Sequence, residues 1–410
     1  MITDKFSEKT DIDIEVFHLK ADQLIDILAK FGEVKQVGKI YPVIKIKGYP
    51  YWDFTIAESD DYKKAALRRD FTINTVMMDI TTGEIWDYLG GREDINNKVI
   101  RHVNAEVFAK DPLRAYRAAT LAARLGFNIH PETLELMKDT DVSSIPPERI
   151  YEELKKLLLL SPKPSIGLRY LEKSNILKKN HPDLYRLIDC RQEPKNHPEG
   201  DVWEHTLLVV DGAAKLKNQS QDPLALMWAA LLHDIGKPDT TKKREGKITS
   251  YGHDVAGEKL AIRFLENLRS SKSLTAKVAT LVKEHMHPVL LYRQKERVSD
   301  KAIRKLVNRV DLMELLLLSE ADYLGRGKVR DYTPIREWYL KRVEELGLDP
   351  RKKIEPLVRG KDLVELGIKP DKKFREILDY AFELQLEGVE KEEIMREIER
   401  CTGDGSFCMY

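Results

Sequence analysis

Ahead of Asp111, apolar residues tend to recur at every second position. "IDIEVF", "YPVIKIK", "YWDFTIA" and "INTVMMDI" combine this partial alternation with β-branched and aromatic side chains. A period of two with that composition predicts strands. "TTGEIWDYLGG" reads as a turn, a short strand and a glycine loop. From about Asp111 onward the rhythm changes to the three-to-four spacing of helices. "DPLRAYRAATLAARLGF" places Asp111 at an N-cap, Pro112 at the first helical position and Gly126 at the stop. "SSIPPERIYEELKKLLLLS" reads as a second capped helix. After "SPKPS" a long helical region runs to the charged "DPRKK" at 349–353, and a last helical segment follows. There is no convincing internal repeat and no low-complexity tract. The pattern predicts an α+β chain, strand-rich first and all-helical afterwards.

Composition narrows this picture. A chain of 410 residues has room for two to four domains. A net charge of +1 gives no global nucleic-acid signal, so any RNA contact must use local patches. Cys190, Cys401 and Cys408 form no CxxC pair, which fits a reducing cytoplasm. No apolar run approaches the roughly 20 residues of a membrane span, and the charged N-terminus lacks the apolar core of a signal peptide.

Two constellations carry candidate chemistry. In the first, Asp11 and Asp13 stand two apart on a predicted strand, so both point to one face and can reach one hard cation. A solvated acidic face is the competing reading. Asp53, in "YWDFTIAES", is a candidate third carboxylate. "LRRDFTINTV" adds Arg68 and Arg69 as fork-shaped phosphate donors, with Asp70 to orient one of them and Asn74 to hold a ribose hydroxyl. A surface ion pair is the plain alternative for Arg-Arg-Asp. In the second, "DPLALMWAALLHDIGKP" is an apolar helix with Asp222 as its N-cap, ending in adjacent His233 and Asp234. Side chains so placed can converge on one cation. His205 and Asp322 complete an H…HD…D order, and mixed histidine and carboxylate ligands suit nickel, manganese, zinc, iron or magnesium. His253 and His285 could bind a second metal or a phosphate, or be surface or supporting histidines; His287 reads as structural.

"DIDIE", "RRDFTIN", "DYLGGREDI", "DPLRAYRAATLAARLGF" and "ERIYEEL" follow in the order and spacing found in the bacterial class of tRNA CCA-adding enzymes and poly(A) polymerases. "HPEGDVWEHT" resembles the subset that carries an HD domain, so the resemblance covers essentially the whole chain. It implies a polymerase-β-like nucleotidyltransferase palm at 1–100, a helical neck at 101–160, an HD phosphohydrolase domain at 161–345 and a helical, RNA-contacting segment at 346–410. Asp11, Asp13 and, less directly, Asp53 would hold Mg2+; Arg68, Arg69, Asp70, Asn74, Asp111, Arg114 and Arg117 would bind the nucleotide. Asp87 and Gly90 fall at the family's palm–neck joint, and Arg149 and Glu153 match a bracing motif. Asp111 and Arg114 stand three apart, the spacing of one helix face, and offer an acceptor and several donors to a base edge; a simple helix cap is the alternative for Asp111. Lys110 stands where the family has Glu, which bears on nucleotide selectivity.

The first glycine is Gly32, and Met1-Ile2-Thr3-Asp4 resembles the end of the family's "VRD" helix. The resemblance therefore predicts that the reading frame continues upstream into a strand, a Gly-Gly turn and that helix. From Lys272 to Arg309 ten Lys or Arg face three Asp or Glu, either a solvated helical face or a tRNA backbone track. The expected activity is template-independent addition of C and/or A to tRNA 3′ ends from CTP and ATP, with no membrane and no obligate protein partner. A phosphohydrolase with a degenerate, RNA-holding palm is the second reading, and a non-catalytic RNA-binding protein the third.

Overall fold

The computed structural model describes residues 12–37, 42–57, 59, 61–326, 331–370 and 372–403. Asp11 and the Met1–Asp4 stretch lie outside them. The chain divides into two compact units, one formed by Met1–Asp111 with His130–Leu136 and the other by Pro112–Ile129 with Met137–Tyr410.

In the first unit, β1 (Ile12–Val16), β2 (Val34–Val37), β3 (Val43–Ile46) and β4 (Trp52–Ile56) form one sheet in the order β1-β4-β3-β2. β1 runs parallel to β4, and the other pairs are antiparallel. The helix α1 (Ala21–Leu28) joins β1 to β2 and packs Leu24 and Leu28 against Ile44, Ile46 and Phe54, with Ile14, Val16, Val34 and Ile56 at the margin. Alternation explains the arrangement. Ile14 and Val16 turn toward this core, so Asp13 and Glu15 must turn away from it. Removing a buried ring such as Phe54 would cost about 3–5 kcal/mol.

"INTVMMDI" is not one strand. Thr72–Asn74 forms a 3-10 turn, and only Met77–Met78 is extended. Side chains account for the departure: Thr72 Oγ1 donates to Asp94 Oδ2 at 2.6 Å, and Asn74 Nδ2 donates to Asp70 Oδ1 at 2.9 Å. These bonds offer the backbone an alternative to a ladder. The short helix Gly91–Asn96 presses on this turn so closely that a Cβ on Gly91 would lie 2.3 Å from the Thr72 carbonyl oxygen. Asp87 fixes its start, accepting from the backbone N–H of Gly91 and Arg92 at 2.8 and 2.9 Å, beside Gly90 at φ 73°.

The second unit opens with the helix Leu113–Leu125, whose buried face is largely alanine, Ala115, Ala118, Ala119, Ala122 and Ala123. Small residues allow close approach: a Cβ on Gly167, in the helix Ser165–Lys173, would lie 2.6 Å from the Ala119 carbonyl oxygen. Gly126 ends the first helix at φ 69°. Its start differs from expectation. Pro112 is the N-cap, and Asp111 closes the preceding helix Ala105–Lys110 in extended backbone. A residue before proline is pushed out of the α region, so Asp111 and Arg114 do not share a helix face. Glu153 is buried, with Lys156 2.8 Å away.

Farther on, the helix Pro223–Leu232 is buried from Ala225 onward and packs against Val202–Leu216, Lys272–Glu284 and Leu312–Leu324. A helix apolar all round requires neighbours on every side. Asp222 caps it as expected, accepting from the Ala225 N–H at 3.2 Å. Near the end of the unit, Val358, Leu363, Ile377, Ala381, Ile394 and Ile398 form a separate apolar cluster.

Candidate active sites: an open carboxylate face and a buried histidine–aspartate cluster

The register of β1 on β4 puts Asp13 opposite Asp53 and Glu15 opposite Thr55. Partners in register share a face, so Asp13, Asp53 and Glu15 project together from the side away from the core. Like charges placed directly opposite destabilise a strand pair, and a cation between them removes that cost. Asp13 is exposed. Asp53 is half-buried and has one oxygen 2.6 Å from Lys45 Nζ on β3, its register partner. Glu15, which sequence reasoning passed over, receives Arg69 Nη2 at 2.6 Å, with Arg68 Nη2 at 3.9 Å. The two arginines are thus gathered at the carboxylate face. Asp70 is buried and accepts from its neighbour's backbone N–H (Phe71) and from Asn74, both at 2.9 Å. These bonds make it a brace for the turn that follows the arginines. Arg114 and Arg117 are half-buried on the helix Leu113–Leu125, and Asp111 is half-buried at the end of the first unit.

The second constellation closes as a cluster. His205 comes from Val202–Leu216, His233 and Asp234 from the end of Pro223–Leu232, and Asp322 from Leu312–Leu324; all four are nearly inaccessible. The ligand atoms of His205, His233 and Asp322 lie within 4.8 Å of one another, as do those of Asp234, His253 and His285. His205 Nε2 is 3.0 Å from Asp322 Oδ1 and 3.8 Å from Asp234 Oδ2. His233 Nε2 is 3.2 Å from Asp234 Oδ2, while its Nδ1 contacts the Ala230 carbonyl at 2.9 Å. His253 and His285 likewise rest their Nδ1 atoms on the carbonyls of Ser250 and Val282, at 2.7 and 2.6 Å. Backbone carbonyls therefore hold three rings by Nδ1 and leave Nε2 to the cluster, those of His253 and His285 lying 3.4 Å apart.

The electrostatics agree with a cation site. Burial works to raise the Asp234 carboxyl, yet the His233 ring and the Lys237 ammonium hold it well below the usual carboxylate range. Asp322 is likewise held far down against burial, by Arg326 and His205. Burial, followed by the charge of His253, pushes His285 down to about 3, keeping it neutral and able to ligate. Burial would also lower His205, but Asp322 and Glu199 outweigh it and raise the ring above its ordinary value. Among the described residues, His233 Nε2 and Asp234 Oδ2 are buried without an aligned hydrogen-bond partner, although Lys237 Nζ stands 2.7 Å from Asp234 Oδ2. Buried polar atoms are almost always satisfied, so two such orphans 3.2 Å apart fit a site for a metal ion.

Three supporting residues escaped the sequence reading. Lys237 reaches both Asp234 and Gln192 Oε1, the latter at 2.6 Å. Arg326 Nη2 lies 2.7 Å from Asp322 Oδ2. Glu199 Oε1 lies 2.8 Å from the Nδ1 atoms of both His197 and His205. The available signals were positional: Lys237 and Arg326 stand three and four residues after a candidate ligand on helical spacing, and Glu199 lies within "HPEGDVWEHT". Half of the cations in the basic run 272–309 are paired within the fold, Lys277, Lys283, Lys301, Lys305 and Arg309 to Asp222, Glu258, Glu387, Glu383 and Glu284.

A mixed sheet carrying paired carboxylates, then helices, then a buried H…HD…D cluster define a nucleotidyltransferase head joined to an HD domain. Family comparison gives the same order: the Poly A polymerase head domain matches 8–101, the probable RNA and SrmB-binding site of polymerase A matches 126–187, and the HD domain matches 202–327. The multifunctional CCA protein of Actinobacillus pleuropneumoniae serotype 5b is 33% identical over 67% of this chain and 69% of its own length; that of Aromatoleum aromaticum is 34% identical over 68% and 69%. The chain belongs to the multifunctional CCA protein family, whose members are nucleotidyltransferases. Its fold is also that of solved CCA-adding enzymes. The Bacillus stearothermophilus enzyme in complex with CTP superposes with a TM-score of 0.65 at 20% identity, covering 96% of this chain and 90% of that one. The Thermotoga maritima enzyme complexed with tRNA gives 0.56 at 20% identity, over 95% and 86%. No helix among the described residues is long and apolar enough to cross a membrane.

Proposed function

We infer that the protein is a template-independent tRNA nucleotidyltransferase that adds C and/or A to tRNA 3′ ends from CTP and ATP. The observation that carries this reading is Asp13 set in register against Asp53 on the sheet of a head domain that belongs to a CCA family. Asp13 and Asp53, with Asp11, would hold Mg2+, a hard cation suited to carboxylate oxygens. Two such ions would activate the RNA 3′-hydroxyl and stabilise the departing pyrophosphate. Arg68 and Arg69, gathered by Glu15, would receive the triphosphate. Asp111, Arg114 and Arg117 would read the base. Asp70 would keep the arginine turn in place through Asn74. A tRNA ending before its CCA, incubated with each nucleotide in turn, tests the reading: CTP and ATP should be incorporated and UTP and GTP rejected. A working site in a reducing cytoplasm suits this substrate.

A second activity is favoured by the orphaned His233 Nε2 and Asp234 Oδ2. His205, His233, Asp234 and Asp322 would hold a transition metal such as Ni2+, Mn2+ or Zn2+, and His253 and His285 would take a second ion or a phosphate oxygen. The bound ion would supply Lewis-acid activation of water and neutralise phosphate charge. Hydrolysis of a phosphate ester would form one bond from water oxygen to phosphorus, break the bond to the leaving oxygen and pass the proton to that oxygen. Lys237 and Arg326 balance two of the site's carboxylates, leaving net positive charge once a divalent ion is held, which suits an anionic substrate. Titration of metal-free protein with Mn2+, Ni2+ or Zn2+ against a cyclic-phosphate substrate tests it.

A further inference from the structure

Between the Pro223–Leu232 helix, which leads into His233 and Asp234, and the helix that begins at His253, the chain forms a two-stranded ribbon. Lys242–Arg244 pairs antiparallel with Lys247–Thr249 across a turn in which Glu245 (φ 48°) and Gly246 (φ 80°) both take left-handed backbone. The register sets Arg244 directly opposite Lys247, and Lys242 opposite Thr249. Residues two apart share a face, so Lys242, Arg244 and Lys247 form one row. Like charges so opposed weaken a ribbon, yet all three are exposed and, among the described residues, none is in an ion pair. The longer basic run at 272–309 is different, because half of its cations have acidic partners within the fold. At the foot of the ribbon, Tyr251 is 70% exposed, with the Arg244 guanidinium 5.0 Å from its ring centre. An exposed tyrosine backed by arginine is a stacking surface for an unpaired base.

Both feet of the ribbon are tied to the buried cluster. Thr241 Oγ1 and Ser250 Oγ join them at 2.8 Å. The Ser250 carbonyl holds His253 Nδ1, and Lys237, just before the first foot, holds Asp234. The Ile248 N–H donates to Glu193 Oε2 at 3.0 Å. We propose that this ribbon is a docking arm for single-stranded RNA, with Lys242, Arg244 and Lys247 on the phosphodiesters and Tyr251 under a base, which brings a terminal phosphate to the histidine–aspartate cluster. The HD site then acts on the ends of oligonucleotides in preference to free mononucleotides. This rests on the phosphohydrolase reading of that site.

The test compares hydrolysis of a single-stranded hexaribonucleotide ending in a 2′,3′-cyclic phosphate with hydrolysis of the cyclic mononucleotide, using the full-length protein loaded with Mn2+. In the triple variant Lys242→Ala, Arg244→Ala, Lys247→Ala, KM for the hexamer should rise about tenfold or more. The slope of log KM against log salt should fall by about 2, at roughly 0.7 for each lost contact to a single strand. Tyr251→Ala should raise the same KM by about tenfold. Mononucleotide turnover should stay within about twofold. Unchanged hexamer kinetics, or equal losses on both substrates, would overturn the arm. If the parent protein cleaves neither substrate, the phosphohydrolase reading fails, and ultraviolet crosslinking of the hexamer decides the arm alone: a crosslink within 242–251 sustains it and labelling elsewhere only overturns it.

Discussion

The two candidate metal sites solve one problem in opposite ways. In the head, carboxylates stand on the open face of a sheet, Asp13 exposed and Asp53 half-buried beside Lys45. In the HD domain the donors are nearly inaccessible, drawn from several helices, and include buried atoms with no aligned protein partner. An open carboxylate face leaves most of an ion's coordination shell to water and substrate phosphates, as magnesium prefers. A closed set of imidazoles and carboxylates offers a transition metal most of its shell from the protein. On the proposed reading, the difference teaches that the first site would be completed by its nucleotide, whereas the second would be built before any substrate arrives.

Substitutions sharpen that contrast, starting with the largest effect. Asp13→Ala should lower nucleotide addition by roughly a thousandfold, since metal stabilisation of transferring phosphoryl charge is worth several kcal/mol. Hydrolysis by the HD domain should be unchanged. Primer extension and phosphate release, measured on the same preparation, separate the two; equal loss of both would mean a shared site. In the buried cluster, Asp234→Asn leaves the Lys237 ammonium without its charge partner, and breaking such a buried pair costs about 3–5 kcal/mol. Metal-free protein should melt earlier, and hydrolysis should vanish while addition of C and A persists.

A smaller effect is expected one layer out. Glu199 sits between His197 and His205, and orienting partners of metal-binding histidines are typically worth 10–100-fold in affinity. Glu199→Ala should weaken Mn2+ binding by about that factor in equilibrium dialysis, with Glu199→Gln between it and the parent; a flat series would make Glu199 a packing residue. Arg114→Ala should relax nucleotide choice by roughly ten- to a hundredfold, the worth of a charged donor to a buried acceptor. Single-nucleotide incorporation onto a tRNA ending before its CCA measures this. Retained preference for CTP and ATP over UTP and GTP would move base reading to other residues.

Much of this was legible in the sequence, for reasons that differ between the regions. The strand at Ile12–Val16 and the caps at Asp222 and Gly126 follow from local rules of alternation, capping and left-handed backbone. The buried cluster was legible because adjacent His233 and Asp234 at the end of a wholly apolar helix have few other uses. Where tertiary contacts decide, reading failed. The turn at Thr72–Asn74 depends on Asp94, distant in sequence, and Asp111 leaves its predicted helix because proline follows it. Glu15 is polar on a half-exposed strand, and nothing local says that Arg69 will reach it. The exposed ribbon at 242–249 was passed over because a few charges in a short hairpin resemble any solvated turn. Its register, the exposed Tyr251 at its foot and, among the described residues, its lack of ion pairs distinguish it.

The central claim is that one site is preformed and the other is completed by substrate. Calorimetric titration of Mn2+ into metal-free protein, with and without a non-hydrolysable CTP analogue, tests it most directly. Without nucleotide, tight binding should be confined to the HD domain, lost in Asp234→Asn and kept in Asp13→Ala. With the analogue present a further binding event should arise, lost in Asp13→Ala and kept in Asp234→Asn. Tight nucleotide-free binding that disappears with Asp13, or no tight binding until nucleotide is added, would contradict the account.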